Sequence, residues 1–543
     1  MSGEPSGDIA ASEPIVSGRE LSRGFDVECD VAIVGSGAGG AVAAALLAES
    51  GHSVVVLEEG PHVQPDDYRT FTPSTSVRRL FREAGLLTAM GVGQTPIISV
   101  ALGRAVGGSS LLTGGVCFRI PSEVHHTWVR ELGLVELSER ALEPAYEEVE
   151  RRMRVREVPA YMRSRSTERF VTGAARMGVE MAPIRRNTGM DCEGNARCNF
   201  TCPAGAKRSV DVSYLPSATA HGTRIVADAL VTRVLVKDGR AAGVEGHLLS
   251  GDEARAAHRF RVRARVVIAA CGTLHTPLLL MRTGLGERSG ELGNHITLHP
   301  ASRVVARFDD VLNGWDGALQ SVYSDHYAND GIKLVGVYSA PNVLASGMPG
   351  VGPELRRRVR QLPYCAAFGA MIHDEGGGAV RSAPGREPVL WYEMAPRDLV
   401  RLRRSVTILC EMALAAGARE VFAPVIGSAP ITTMDQARAL EAMRIDARRI
   451  ECMAFHPLGS ARVANDPRRG VVDQSGESFE LPGLFVMDGS ILPTSIGVNS
   501  QVPIMSMSAR LAWRLGEKLA REKALAAAQA RRRAAMWARA RAM

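Results

Sequence analysis

The hydrophobic pattern is sparse at first: residues 1–26 are polar and read as a flexible arm. From Asp30 it sharpens. Val31–Val34 is a short apolar run, which predicts a buried strand. Gly35–Gly40 is a glycine turn, Ala41–Ser50 is an Ala/Leu-rich helix, and Gly51 stops it. Val54–Leu57 is a second buried strand, completing a β-α-β unit. Pro144–Arg156 is charged and amphipathic, which predicts a helix with the proline in its first turn. Ile225–Val236, the turn 237–240 and Ala241–Gly246 predict a strand, a turn and a strand. Arg261–Ala270 alternates and then becomes fully apolar, so it predicts another strand. Residues 295–450 mix alternating segments with loops and carry most of the aromatics, which suggests a separate substrate-facing domain. A last apolar strand, Leu484–Met487, precedes a helix near Pro503–Lys523 and an Ala/Arg-rich helical tail from Ala524. No internal repeat is present.

Composition narrows the class. The 543 residues are 45% hydrophobic and 23% charged, ordinary globular values that exclude disorder, collagen and coiled coil as the main architecture. Aromatics at 5% argue against a base-stacking nucleic-acid platform. The net charge is +7, but ten basic and two acidic residues fall between Arg510 and Met543, so the rest of the chain is near −1. The basic balance is a property of the tail, and no nucleic-acid partner is expected. Nine cysteines in this length are no disulfide framework. The opening MSGEPSGDIAASEP has neither a basic nor an apolar signal region. Two uncharged stretches, Val31–Ala48 and Gly85–Gly103, are broken by four glycines and by Gln94 and Pro96 respectively, so neither reads as a membrane span. The expectation is a soluble, cytoplasmic protein, with peripheral membrane contact through the basic tail as the one alternative.

The sharpest motif is Gly35-Ser36-Gly37-Ala38-Gly39-Gly40 between a strand and a helix. Its first glycine suits a tight turn, its second admits a pyrophosphate, and its third lets the helix pack on the strand. Phosphate then meets the free N–H groups of the helix N-terminus. Glu58, at the end of the second strand, suits ribose hydroxyls and disfavours a 2′-phosphate. A dinucleotide follows, but the motif alone does not separate FAD from NAD.

Four separated segments resemble the glucose–methanol–choline family of FAD-dependent oxidoreductases. The cradle continues as Leu57-Glu58-Glu59-Gly60-Pro61. Then come Gly103-Arg104-Ala105-Val106-Gly107-Gly108-Ser109-Ser110 and Gly272–Gly284 with Thr276-Pro277 at its centre. Last are His456-Pro457-Leu458-Gly459-Ser460, Asp488-Gly489-Ser490 and Gly497-Val498-Asn499. The order and spacing match over about 30–514. Within the family, His456–Gly459 and Gly497–Asn499 look most like cholesterol oxidases, and Asn199–Pro216 looks more like long-chain alcohol oxidases.

The resemblance implies FAD, and an alcohol as the small-molecule substrate, one expected to be lipophilic. It implies His456 as the base that takes the hydroxyl proton and Asn499 as donor to the developing alkoxide. It places Gly35, Ser36, Gly37, Ala38, Gly40, Glu58, Glu59, Arg104, Gly107, Gly108, Ser109, Ser110, Thr113 and Gly114 at the cofactor. Val231, Cys271, Asp488, Gly489, Ser500 and Gln501 join them. Thr113 stands where the family usually has asparagine, and Leu112 stands where covalently flavinylated members carry histidine, so FAD is expected to be non-covalent.

The expected architecture is α/β plus α+β, a discontinuous Rossmann-like FAD-binding domain (27–120, 205–294, 450–523) with an inserted substrate-binding domain on an antiparallel sheet (121–204, 295–449). Residues 524–543 form a basic tail. His295 and His299 stand four apart, but Pro300 argues for a loop or strand, and both read as structural. His275 is given no role. Cys192, Cys198 and Cys202 read as structural thiols, and no metal site is expected, although their spacing resembles an iron–sulfur segment of bacterial glucose dehydrogenases. That leaves open a dehydrogenase passing electrons to a cluster or a protein acceptor, and a flavoprotein with non-alcohol chemistry.

Overall fold

The computed structural model describes residues 13–542 apart from 252–254, 338–339, 347 and 443–444. The apolar run at Val31 is the inner half of the strand Asp26–Val34, whose burial is complete from Val31 onward. It lies between Val54–Leu57 and Arg255–Ala269, with all three parallel. The helix Ala38–Glu49 is buried from Gly39 to Ala48, because it is sandwiched between this sheet and the C-terminal helix Gln501–Ala542. Such closeness requires small residues: a Cβ on Gly39 would meet the Met487 carbonyl oxygen at 1.8 Å.

The full sheet runs Ile15–Ser17, Arg224–Ala227, Val54–Leu57, Asp26–Val34, Arg255–Ala269, Arg240–Ser250, Ala229–Lys237, with Leu484–Val486 also paired to Arg255–Ala269. Three expectations are corrected here. The arm expected to be loose is docked from Ile15, because a sheet edge offers unpaired backbone groups that Ile15–Ser17 completes in parallel with Arg224–Ala227; residues 1–12 lie outside the described residues. The strand expected over Ile225–Val236 is two strands, split at Asp228, whose φ of +52° turns the chain. Its carboxylate accepts from Ser17 Oγ at 3.0 Å and pairs with Arg19 Nε at 2.9 Å. The helix expected from Pro144 begins at Glu139, N-capped by Ser138, so Pro144 sits in the second turn.

A second, mostly antiparallel sheet has the order Gly377–Arg381, Val389–Glu393, Thr88–Gly91, Ile98–Val100, Cys452–Ala454, Ala301–Arg307, Cys365–Ile372, Ile332–Gly336, Val322–Ser324, Ala182–Pro183, with Glu420–Phe422 also on Ala301–Arg307. It includes Thr88–Val100, which the sequence assigned to the cofactor domain. Conversely, Trp128, Leu142 and Tyr146, assigned to the substrate domain, pack into the core of the first sheet. The second sheet has its own core around Phe170, Phe368, Leu402 and Leu409. The last helix runs unbroken to Ala542, and beyond Leu519 its side chains are exposed as far as Trp537.

Candidate active site

A cavity of about 590 Å³ is walled by both sheets. Every residue assigned from the sequence to catalysis or the cofactor lines it except Ser36, Gly40, Arg104 and Gly107. Those four lie just behind the wall. Ser36 is fully buried and ties two loops together: it donates to Glu58 Oε2 through N–H (2.9 Å) and Oγ (2.7 Å), and its Oγ accepts from the Gly107 N–H at 3.0 Å. Gly40 is turned away from the cavity, its Cβ position blocked by the Gly35 carbonyl oxygen at 2.0 Å. Arg104 lies 3.9 Å from Glu59.

Glu58 Oε1 also accepts from the Gly60 N–H at 2.9 Å, so one carboxylate holds the strand end and the glycine turn together while facing the cavity. Burial pushes its pKa above the ordinary value. Asp488 acts in the same way at the other signature. It accepts from the N–H groups of Gly272 and Ser490, both at 2.8 Å, and from the hydroxyls of Thr276 and Ser490. Two loops more than two hundred residues apart in sequence are thereby joined beside the cradle.

His456 follows the strand Cys452–Ala454, and Asn499 precedes the C-terminal helix, so each element ends at the cavity. Asn499 Nδ2 donates to His456 Nε2 at 3.1 Å. Behind them His299, fully buried, accepts on Nε2 from the N–H groups of Ile496 (3.1 Å) and Gly497 (3.0 Å), and its ring lies 5.7 Å from that of His456. Buried Asp374 accepts from Leu298 N–H at 2.8 Å, Ser495 Oγ at 2.6 Å and the Tyr392 hydroxyl. His299 and Asp374 therefore fix the loop that carries Asn499, while the loop that carries His456 is tied by backbone bonds between Thr297 and Leu458 and by Thr273 Oγ1 donating to the Pro457 carbonyl at 2.6 Å. Burial, and after it the neighbouring His299, hold the His456 pKa down to about 3; burial does the same for His299, also to about 3. Both imidazoles are neutral near neutral pH.

The sequence offered no sign of Asp374, nor of two buried cations beneath Thr113–Gly114. Lys207 donates to the carbonyls of Leu111 (2.6 Å), Thr113 (3.1 Å) and Cys198 (2.7 Å). Arg186 donates to the Gly114 carbonyl from Nε (3.0 Å) and Nη2 (2.7 Å), and to Cys198 Sγ at 2.9 Å. Burial lowers the Lys207 pKa to about 8. Cys198 thus serves as an acceptor for Arg186, and among the described residues no group of three His, Cys, Asp or Glu is gathered as a metal site would need. His295 pairs with Glu291 at 2.8 Å, and His275 pairs with Glu387 at 3.2 Å in a network that includes Arg82 and Glu59.

The wall has the features a bound dinucleotide needs. A Cβ on Gly37 would project into free space, with only the Gly108 Cα within 4 Å, at 3.9 Å. The N-terminus of the helix Ala38–Glu49 has no side-chain cap. Both amide atoms of Gln501, and Asn499 Oδ1, are buried without a protein partner. Residues 33–65 match the NAD(P)-binding Rossmann-like domain, and residues 76–301 and 379–508 match two family models described as GMC oxidoreductase. The chain belongs to the GMC oxidoreductase family. An uncharacterized GMC-type oxidoreductase of Mycobacterium tuberculosis is 36% identical over 484 residues, 89% of this chain and 75% of its own. A long-chain-alcohol oxidase of Arabidopsis thaliana is 28% identical over 89% of this chain and 66% of its own. Pyridoxine 4-oxidase from Mesorbium loti shares the fold, with a TM-score of 0.69 at 17% identity over 90% of this chain and 99% of that one. This GMC oxidoreductase is an FAD-dependent enzyme acting on CH–OH donors. Among its described residues no helix is long and apolar enough to cross a membrane.

Proposed function

We propose that the enzyme oxidises a primary or secondary alcohol with an apolar body to the aldehyde or ketone, with His456 as base and Asn499 as donor to the substrate oxygen. The observation that supports this reading best is the contact of Asn499 Nδ2 with His456 Nε2 at 3.1 Å on the cavity wall. The two side chains converge where one hydroxyl can reach both. His456 is neutral, and the Nε2 lone pair that accepts from Asn499 is the one that would take the hydroxyl proton once the substrate oxygen enters between the two side chains. Asn499 supplies an N–H toward the oxygen as charge builds on it. When bound, FAD supplies the acceptor for the hydride that leaves the carbinol carbon. Leu102, Val335, Val337, Met371, Met453 and Phe455 contribute apolar surface to this chamber.

Leu112 lines the cavity beside Thr113 and offers no nucleophile to a flavin methyl group, which supports non-covalent FAD. Thr113 Oγ1 is spent within its own turn, donating to Ser110 O and accepting from Gly115 N–H, both at 3.3 Å. The deciding experiment is anaerobic mixing of the yellow holoenzyme with a panel of alcohols. Loss of the oxidised flavin spectrum is expected with at least one apolar primary or secondary alcohol. A flavin that dithionite bleaches but no alcohol in the panel does would overturn the reading.

A further inference from the structure

The chamber has a second end. On its floor, Ala301 faces Met371 on one neighbouring strand and Met453 on the other, forming an apolar row close to His456. Two residues further along, Arg303 faces Gly369, which in turn faces Val335. This second row lies about 7 Å beyond the first, on the same face of the sheet. His456 lies on the opposite side of the first row, because its strand runs antiparallel to Ala301–Arg307. The order along the chamber is therefore base, apolar row, guanidinium.

Arg303 is out of place in such a wall. Among the described residues no hydrogen bond or ion pair engages its guanidinium, although it is half-buried and lines the cavity. Two buried arginines are held by the protein: Arg82 by Glu59 and Glu387, Arg186 by the Gly114 carbonyl and Cys198. Burial lowers the Arg303 pKa, and the one carboxylate acting on it, Glu451, is exposed. Its partner across the strands, Gly369, contributes no side chain, and Arg303 itself lines the cavity. A half-buried guanidinium that no protein acceptor completes is open to a ligand, and its geometry suits a carboxylate held by two parallel hydrogen bonds.

We propose that Arg303 anchors a carboxylate at the far end of the substrate, so that the preferred alcohols are hydroxy acids with an apolar chain between the two groups. The hydroxyl meets His456 and Asn499, the chain lies along Met371 and Met453, and the carboxylate closes on Arg303. This rests on the alcohol-oxidising reading above.

The test compares terminal hydroxy acids, from hydroxyhexanoate to hydroxydodecanoate, with the alkanols of the same lengths, by anaerobic flavin reduction in the holoenzyme. The wild type should favour the hydroxy acid at the best-fitting length by at least about tenfold in kcat/KM. Arg303→Leu should reduce that ratio by about 10- to 100-fold, the range for a hydrogen bond to a charged group, with most of the loss in KM. Arg303→Lys should retain part of it. A second arm needs no turnover: decanoate binding to the oxidised holoenzyme, read from the flavin absorbance, should weaken by a similar factor in Arg303→Leu. A wild type that shows no preference, a ratio unchanged in Arg303→Leu, or unaltered decanoate binding would overturn the proposal. Should no alcohol reduce the flavin, the activity reading fails, while decanoate binding still judges Arg303 on its own.

Discussion

Removing His456 and Asn499 singly and together tests the site most directly. His456→Ala should slow flavin reduction by about 10²–10⁴-fold, the range for a lost general base. Asn499→Ala should slow it by about 10²–10³-fold, as for one lost oxyanion donor. The two side chains touch at 3.1 Å and are proposed to serve one oxygen, so the double variant should fall short of the product of the single effects by at least about tenfold. The assay is anaerobic stopped-flow at saturating alcohol, which isolates the reductive step. Its pH dependence carries a second, independent expectation. An ordinary histidine would give a rise near pH ~6.5. Burial and His299 hold His456 to about 3, so the limiting rate should be flat, as far as this group is concerned, from about pH 5 upward. His456→Ala reducing its flavin at the wild-type rate would refute the base assignment. An ascending limb between about pH 6 and 7 that vanishes in His456→Ala would keep the base but refute the argument from burial.

Glu58→Ala removes the carboxylate that three donors from Ser36 and Gly60 share, and should cost about 2–4 kcal/mol of stability together with FAD retention; FAD released on dialysis and the thermal midpoint check both, and retention equal to wild type contradicts the role. The depressed pKa values of His299 and His456 make the folded state resist protonation. Their contribution to stability is complete above the unfolded value of ~6.5 and is lost as pH falls from there toward 3, at up to about 1.4 kcal/mol per pH unit for each. Thermal midpoints measured across that range should fall more gently in His299→Gln, and an unchanged slope would exclude His299 as a source.

The β-α-β cradle was legible because each residue in it obeys a local rule: apolar runs for buried strands, glycines for the turn, an acid at the strand end. The same locality explains the misreadings. Nothing near Asp228 reveals that the strand breaks there, because its partners Ser17 and Arg19 come with the neighbouring edge strand from the far N-terminal part of the chain. Thr88–Val100 reads as an uncharged stretch, and only pairing with Cys452–Ala454 and Val389–Glu393 assigns it to the second sheet. His456 and Asn499 were found through their motifs, yet Asp374 and His299 hold the loop that aims Asn499, and their partners are drawn from three separate segments. Arg303 is ordinary in sequence; only its missing partner, visible in three dimensions, sets it apart.

The electrostatics of the chamber constrain the order of events. A neutral imidazole with a pKa near 3 is a weak base toward a weakly acidic hydroxyl, so full proton transfer before the carbon–hydrogen bond weakens would be steeply uphill. On the proposed reading, the hydroxyl becomes far more acidic as the hydride departs, and the proton would pass to His456 in step with it. The imidazolium so formed has Asp374 as the one anion acting on it, and Asp374 is already committed to Leu298, Ser495 and Tyr392. The protonated state is therefore unstable in place and favours prompt loss of the proton once product leaves. A substrate carboxylate on Arg303 would cancel the fixed positive charge in the same low-dielectric chamber and ease the charging of His456. On this argument, Arg303→Leu acts mainly on binding of hydroxy acids, while neutralising Asp374 as Asn should depress the reductive rate constant for hydroxy acids and alkanols alike.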